Sequence, residues 1–213
     1  MCSSDLRTAA QLEARQLQRR WSSLRRCLAE LGEASERRLA WRGLETNARW
    51  QGQHLVLVQA RMPQASDRLE LWLLLQLACA AAGGACERPQ SAILIAREGH
   101  NLQKSLTLAP VAPEQAAAEL ERLLQLRHSW RERCWPVPPR TGWAYLEAEA
   151  KRSGQGRERA AAIWEGSPQL QGERQRPEMV VCFGADRPAE ALLTGEFADQ
   201  AIALYGPLLE AQP

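Results

Sequence analysis

Between residues 4 and 31 the apolar positions Ala10, Ala14, Leu17, Trp21, Leu24, Leu28 and Leu31 recur at alternating steps of four and three. That spacing predicts one amphipathic helix, with Gly32 as its stop. The period then changes. Short runs at 37–42, 45–50 and 54–61 read as strands, and Gln51-Gly52-Gln53 as the hairpin turn between the second and third. In the third strand the apolar residues are almost unbroken, which predicts a central strand covered on both faces. Residues 67–82 are apolar nearly all round their middle (Leu71, Trp72, Leu73, Leu74, Leu75, Leu77), so a buried helix is expected there, ended by Gly83-Gly84. Strands at 91–97 and 102–108 follow, joined by a turn at Glu98-Gly99-His100-Asn101.

Past Pro110 the pattern is helical and interrupted. Pro113 suits the first turn of a helix carrying Ala117, Leu120, Leu124, Leu126 and Trp130. Pro136-Val137-Pro138-Pro139 reads as a stiff segment crossing the surface, and Thr141 as the cap of a helix through Trp143, Leu146 and Ala150. After a loop at 153–156, a short helix is expected at 159–164. Residues 166–177, rich in Gly, Gln and Arg, read as exposed and mobile. A last helix at about 196–210 places Phe197, Ala201, Leu204, Tyr205 and Leu208 on one face.

Composition narrows the function classes. The chain has 213 residues, 45% of them hydrophobic. None of its apolar runs approaches the roughly 18 residues of a membrane span. Met1-Cys2-Ser3-Ser4-Asp5 has neither the basic nor the apolar region of a signal peptide, so a cytoplasmic location is expected. Cys2, Cys27, Cys79, Cys86, Cys134 and Cys182 are scattered and read as unpaired thiols. His54, His100 and His128 form no metal motif, and no cofactor is implied. A net charge of +2 does not mark a strong polyanion binder. The phosphate-binding loop of an ATPase is missing, as is the Gly-x-Ser-x-Gly elbow of a hydrolase. Among eight tryptophans, Trp72 and Trp143 sit at core spacing, while Trp135, beside prolines, is the candidate for a partner contact together with Pro136 and Pro138. Arg15, Arg19, Arg20, Arg25 and Arg26 lie mostly off the stripe of the first helix and are the candidate contacts to a phosphate backbone; a plain solvated face fits them too.

The strand at 54–61 and the helix after it have the layout of a metal-dependent nuclease core. In such a core the strand would end in Asp-x-Lys, the acid holding Mg²⁺ and the lysine orienting the attacking water. Here those positions hold Gln59 and Arg61.

Several segments in order carry a resemblance: Arg68-Leu69-Glu70-Leu71-Trp72 through Ala80-Ala81-Ala82-Gly83, Pro139-Arg140-Thr141-Gly142-Trp143-Ala144-Tyr145-Leu146, Trp164-Glu165-Gly166, Gly172-Glu173-Arg174 and Leu204-Tyr205-Gly206-Pro207-Leu208-Leu209. Together, across about residues 39–209, they resemble the C-terminal domain of RecC, the gamma subunit of exodeoxyribonuclease V. The resemblance implies an α/β fold with a restriction-endonuclease-like (PD-(D/E)XK-type) core, a mixed sheet flanked by helices. It also implies loss of nuclease activity, and helical extensions at both ends. The corresponding domain division is an N-terminal helix at 1–34 and a nuclease-fold domain at 35–213. RecC proteins are several times longer, and their helicase-like N-terminal domains are not in this sequence.

Set against active nuclease domains of the RecB type, Gly43 falls on the motif glycine and Thr46 on the first metal-binding acid. Gln59 falls on the second acid, Arg61 on the lysine, Gln76 on the helix glutamine and Cys79 on its tyrosine. Both carboxylates are gone, and neutral oxygens alone hold hard Mg²⁺ poorly. The expected role is therefore non-catalytic: a structural and DNA-guiding module of a RecBCD-type helicase–nuclease, with RecB-like and RecD-like helicases and DNA of any sequence as partners, and no membrane. The alternative is an orphan metal-dependent nuclease whose acids have moved, for example onto Glu45 or Glu70.

Overall fold

The computed structural model describes residues 3–82, 87–131 and 137–212. The chain divides into two compact units, Met1–Pro63 with Glu70–Ala117, and Gln64–Leu69 with Ala118–Pro213.

The first unit is built on helix α1 (Ser3–Ala29) and strands β1 (Ala34–Trp41), β2 (Leu44–Gln51), β3 (His54–Val58), β4 (Ser91–Glu98) and β5 (Asn101–Leu108). They form one mixed sheet in the order β1-β2-β3-β4-β5. Neighbours are antiparallel except β3 and β4, which run parallel from His54↔Ser91 to Val58↔Ile95. A parallel pair needs a long crossover. Helix α2 (Ala65–Ala81) supplies it. As expected, β3 is the central strand: Leu55 and Val56, adjacent and so on opposite faces, are both buried. Its regular ladder ends at Val58, but pairing continues irregularly: the Gln59 N–H donates to the Ile95 carbonyl (2.8 Å) and the Arg97 N–H to the Arg61 carbonyl (3.0 Å).

One sheet face, formed by Val56, Ile93, Ile95 and Leu102, packs against Leu24, Cys27, Leu28 and Leu31 at the end of α1. Gly32, at φ 106°, turns the chain out of that helix. A bulge in β5 lets one strand serve both faces. Leu94 pairs with Leu106 and Ile95 with Lys104, so Ser105 is the extra residue. Leu102 therefore faces α1, whereas Leu106 and Leu108 face the other side with Leu94 and Ala92. Helix α1 also covers the outer edge of β5. The Ser23 hydroxyl accepts from the Leu102 N–H (2.9 Å), and the Cys27 thiol donates to the Leu102 carbonyl (3.6 Å). The opposite edge, β1, is guarded by charge at Glu36, Arg37 and Arg38.

The apolar stripe of α1 is only half used. Leu17 and Trp21 remain 58% and 60% exposed, and Ala10 and Ala14 are exposed too. Burial of the whole stripe does not occur, because the packed part of the helix ends at Leu24.

The second unit is mainly helical. It holds most of α3 (Pro113–Ser129), then α4 (Pro139–Lys151), α5 (Gly156–Glu165), α6 (Pro177–Phe183), α7 (Ala189–Leu192) and α8 (Gly195–Glu210). A two-residue hairpin, β6 (Gly166–Ser167) with β7 (Leu170–Gln171), and a 3₁₀ turn at Glu173–Gln175 lie between α5 and α6. The expected core face of α8 is buried at all five positions. Trp143 is buried as expected, with its ring edge-on to Tyr205 at 5.9 Å and the Arg68 guanidinium 5.4 Å from its centre. Trp164 is fully buried, and its indole N–H donates to the Arg187 carbonyl (2.8 Å).

Three expectations fail here. Residues 166–177 are not uniformly exposed, since Gly172 and Glu173 are buried. Thr141 is not a helix cap; it is the third residue of α4. Both corrections have one cause. The helix begins Pro138-Pro139, and neither residue has an N–H to donate or a side chain to cap with. The first free amides belong to Arg140 and Thr141, and both donate to the Glu173 carboxylate (2.9 and 2.7 Å). The Thr141 hydroxyl donates to the same carboxylate (2.7 Å). A carboxylate at a helix start is also favoured by the helix dipole. Burial, reinforced by the charge of Glu173, pushes the Tyr205 phenol up.

The third correction concerns the proline segment. Val137 and Pro138 are buried, so that part does not cross the surface. A Cβ on Gly142 would lie 2.2 Å from the Val137 methyl and 3.1 Å from the Tyr205 ring, which shows how closely this corner is packed. Trp135 and Pro136 lie outside the described residues, as do Gly83, Gly84, Cys2, Cys86 and Cys134.

Glu173→Ala leaves the half-buried Arg140 amide and the buried Thr141 amide without that acceptor. A loss of about 2–4 kcal/mol is expected from urea unfolding, with Glu173→Gln retaining part of it. An unchanged midpoint in Glu173→Ala would show that the carboxylate does not hold the helix start.

Candidate functional site

The positions singled out for nuclease chemistry all belong to the first unit. Strands β1 and β2 pair without interruption from Ala34↔Gln51 to Trp41↔Leu44, leaving Arg42 and Gly43 as a two-residue turn. Both have positive φ, 45° and 84°. That is the signature of a hairpin turn that follows the twist of its strands, and it explains a glycine at the second position. No atom lies within 4 Å of a Cβ built on Gly43, so backbone conformation alone requires it. Arg42 tolerates its position with its guanidinium 5.1 Å from the Trp41 ring.

Three residues beyond the turn, Thr46 is half-buried opposite Leu39, its hydroxyl donating weakly to the Asn47 carbonyl (3.4 Å). The β2–β3 ladder closes at Trp50↔Leu55 and Gln51↔His54. Counted on in the same register, Thr46 falls across from Gln59, on the face that carries Ala48, Trp50 and Leu55. The ladder itself stops four residues short of both, so the count fixes the face that Thr46 and Gln59 share and not a contact between them. Arg61 is exposed just past the strand, its guanidinium 3.4 Å from the Met62 carbonyl. Thr46 and Gln59 are polar but bring no negative charge.

The helix positions are core. Gln76 and Cys79 on α2 are both buried. Burial pushes the Cys79 thiol up, opposed by a hydrogen bond with the Val111 backbone and by the Arg88 charge. Arg88 is itself tied to the Pro110 carbonyl (3.1 Å).

Of the acids named for the alternative, Glu45 is exposed, on the face of β2 opposite Thr46, and paired with Arg38. Glu70 is exposed on α2. Among the described residues no group of three His, Cys, Asp or Glu side chains stands close enough to hold a metal ion.

The five arginines of α1 named as candidate phosphate contacts do not share one face. By the helical period Arg15, Arg19 and Arg26 fall within about 40° of each other, on the side away from the sheet. All three are exposed, as is Arg25, which points elsewhere by the same count. Arg20 is half-buried on the sheet side, and its Nε is buried with no hydrogen-bond partner among the described residues.

Sequence reasoning did not single out Arg37. Its guanidinium lies 4.2 Å from the Trp50 ring centre and 3.4 Å from Glu87. The signal is the register: Ser35 pairs with Trp50, which makes Arg37 its diagonal neighbour.

The family model for the RecC C-terminal domain matches residues 4–150, more than two thirds of the chain. The chain belongs to the RecC C-terminal domain family. That ties it to the RecBCD-type machinery of DNA repair. The matched span runs from inside α1 into the last turn of α4, and the motifs beyond residue 150 lie outside it. A comparison with the curated proteins returns no match. No described helix is long and apolar enough to cross a membrane.

Gly43→Val forces a β-branched residue to φ 84° in a turn that is otherwise open. A loss of about 1–2 kcal/mol with the fold retained is expected from thermal unfolding. A neutral substitution would mean that the turn is not held in this form in solution.

Proposed function

We propose that the chain is a non-catalytic structural and DNA-guiding module of a RecBCD-type helicase–nuclease acting on double-strand DNA ends. Its core is a restriction-endonuclease-like fold whose metal site has been lost. The observation that carries this reading is the set Thr46, Gln59 and Arg61, which replaces both metal-binding acids and the lysine in a chain of the RecC C-terminal family. The mixed sheet with a parallel β3–β4 pair and a helical crossover supports it by having the layout such a core needs. Docking on RecB-like or RecD-like helicases is assigned to the sequence around Trp135 and Pro136, since tryptophan is favoured at interface hot spots and proline loses little entropy on binding. The burial of Pro138 leaves it no direct part in that contact. DNA is held through phosphate contacts by the exposed row Arg15, Arg19 and Arg26, contacts that position the strand without specifying its sequence.

Two measurements test this reading. Purified chain incubated with linear or single-stranded DNA and Mg²⁺ or Mn²⁺ is expected to leave it intact. Metal-dependent cleavage that disappears in Glu45→Ala would replace this reading with that of an enzyme whose acid has moved. Binding to labelled oligonucleotides is expected to be weak, indifferent to sequence and steep in salt. Changing Arg15, Arg19 and Arg26 to Gln should flatten the slope of log K against log salt by about 2–3. An unaltered slope would place the DNA contact elsewhere.

A further inference from the structure

The alternation of four and three along α1 is a heptad seam, the pattern by which one helix packs along another. Leu24, Leu28 and Leu31 spend their part of the seam on the sheet. Ala10, Ala14, Leu17 and Trp21 continue the same seam and are exposed. We propose that this open half of α1 pairs with the same segment of a second copy of the chain, the two helices running antiparallel. This goes beyond the role proposed above and does not depend on it.

The residues bordering the seam choose both the occupant and the direction. On one side lie Glu13 and Arg20, on the other Gln11, Gln18 and Arg25. In a parallel pair each bordering residue meets one five positions further along its partner, which sets Arg20 against Arg25 of the second copy. Like charges there disfavour that arrangement. An antiparallel pair can align Trp21 with Ala10 of the second copy and Leu17 with Ala14 of the second copy. Each large side chain then meets a small one, the condition for close packing. The same alignment sets Glu13 against Arg20 of the second copy, twice by symmetry, and Gln11 against Gln18 of the second copy. The pairing also leaves Arg15, Arg19 and Arg26 uncovered, because that row lies on the far side of the helix.

From Ala10 to Trp21 the seam is about 16 Å long. That is short, so a weak, reversible dimer is expected, with Kd on the order of 10–100 µM. Sedimentation velocity between about 1 and 200 µM should show a dimer fraction that rises with concentration. Glu13→Arg or Arg20→Glu alone should weaken association about tenfold or more, and the two together should restore it. Unchanged far-ultraviolet circular dichroism and melting would show that each variant keeps the fold. A chain that stays monomeric throughout would overturn the proposal and leave the seam to a different protein. Arg20→Glu alone strengthening the dimer would overturn it in favour of parallel pairing, and single variants without effect would place any dimer contact elsewhere.

Discussion

The parallel pairing of β3 with β4 is the constraint from which the sheet-bearing unit follows. Two strands that run the same way cannot be joined by a tight turn, so the chain must return the length of the sheet as α2. A strand pair in that position is covered on both faces, which is why Leu55, Val56, Ile93, Leu94 and Ile95 are all apolar and all buried. It also sets the demand on the flanking elements. The end of α1 must be apolar to close one face, and β5 must change its parity part-way along. The Ser105 bulge does this, sending Leu102 to α1 and Leu106 and Leu108 to the opposite side.

Much of this was legible in the sequence because period and burial coincide. The run at 54–58, the apolar helix after it and the β1–β2–β3 hairpins each show a pattern that only one element type satisfies. What was not legible depends on partners distant along the chain. The stripe of α1 is uniform from Ala10 to Leu31, and nothing in it reveals where the sheet stops supporting it. Residues 166–177 look like surface because Glu, Arg and Gln usually are; Glu173 is buried because two prolines 34 and 35 residues earlier leave a helix start uncapped. Thr141 looks like a cap for the same reason, yet its hydroxyl donates to that carboxylate instead of accepting from its own helix. A carboxylate recruited from another element as a helix cap has no local signature.

The candidate site shows the same division. Gly43 was found as a motif residue, and the structure gives the physical requirement behind it, a turn with positive φ at both positions. The β2–β3 ladder closes around the turn expected at Gly52, but it holds two pairs only and stops four residues short of Thr46 and Gln59. Cys79, matched by position to a catalytic-motif tyrosine, sits wholly in the core, so volume rather than chemistry constrains that position.

On the reading proposed here, loss of the acids has a consequence for the fold itself. Two carboxylates brought to one metal site repel unless a cation lies between them, and an empty metal site therefore opposes the strands that build it. Thr46 and Gln59 carry no charge and remove that repulsion. A strand end without charge needs no metal to be stable, so the hairpin, the crossover and the α1 face can persist as a scaffold. Selection then acts on the outer surface, where Arg15, Arg19 and Arg26 and the open seam of α1 lie on opposite sides of one helix. A change on one side need not disturb the other, because the helix is anchored separately by Leu24, Leu28 and Leu31.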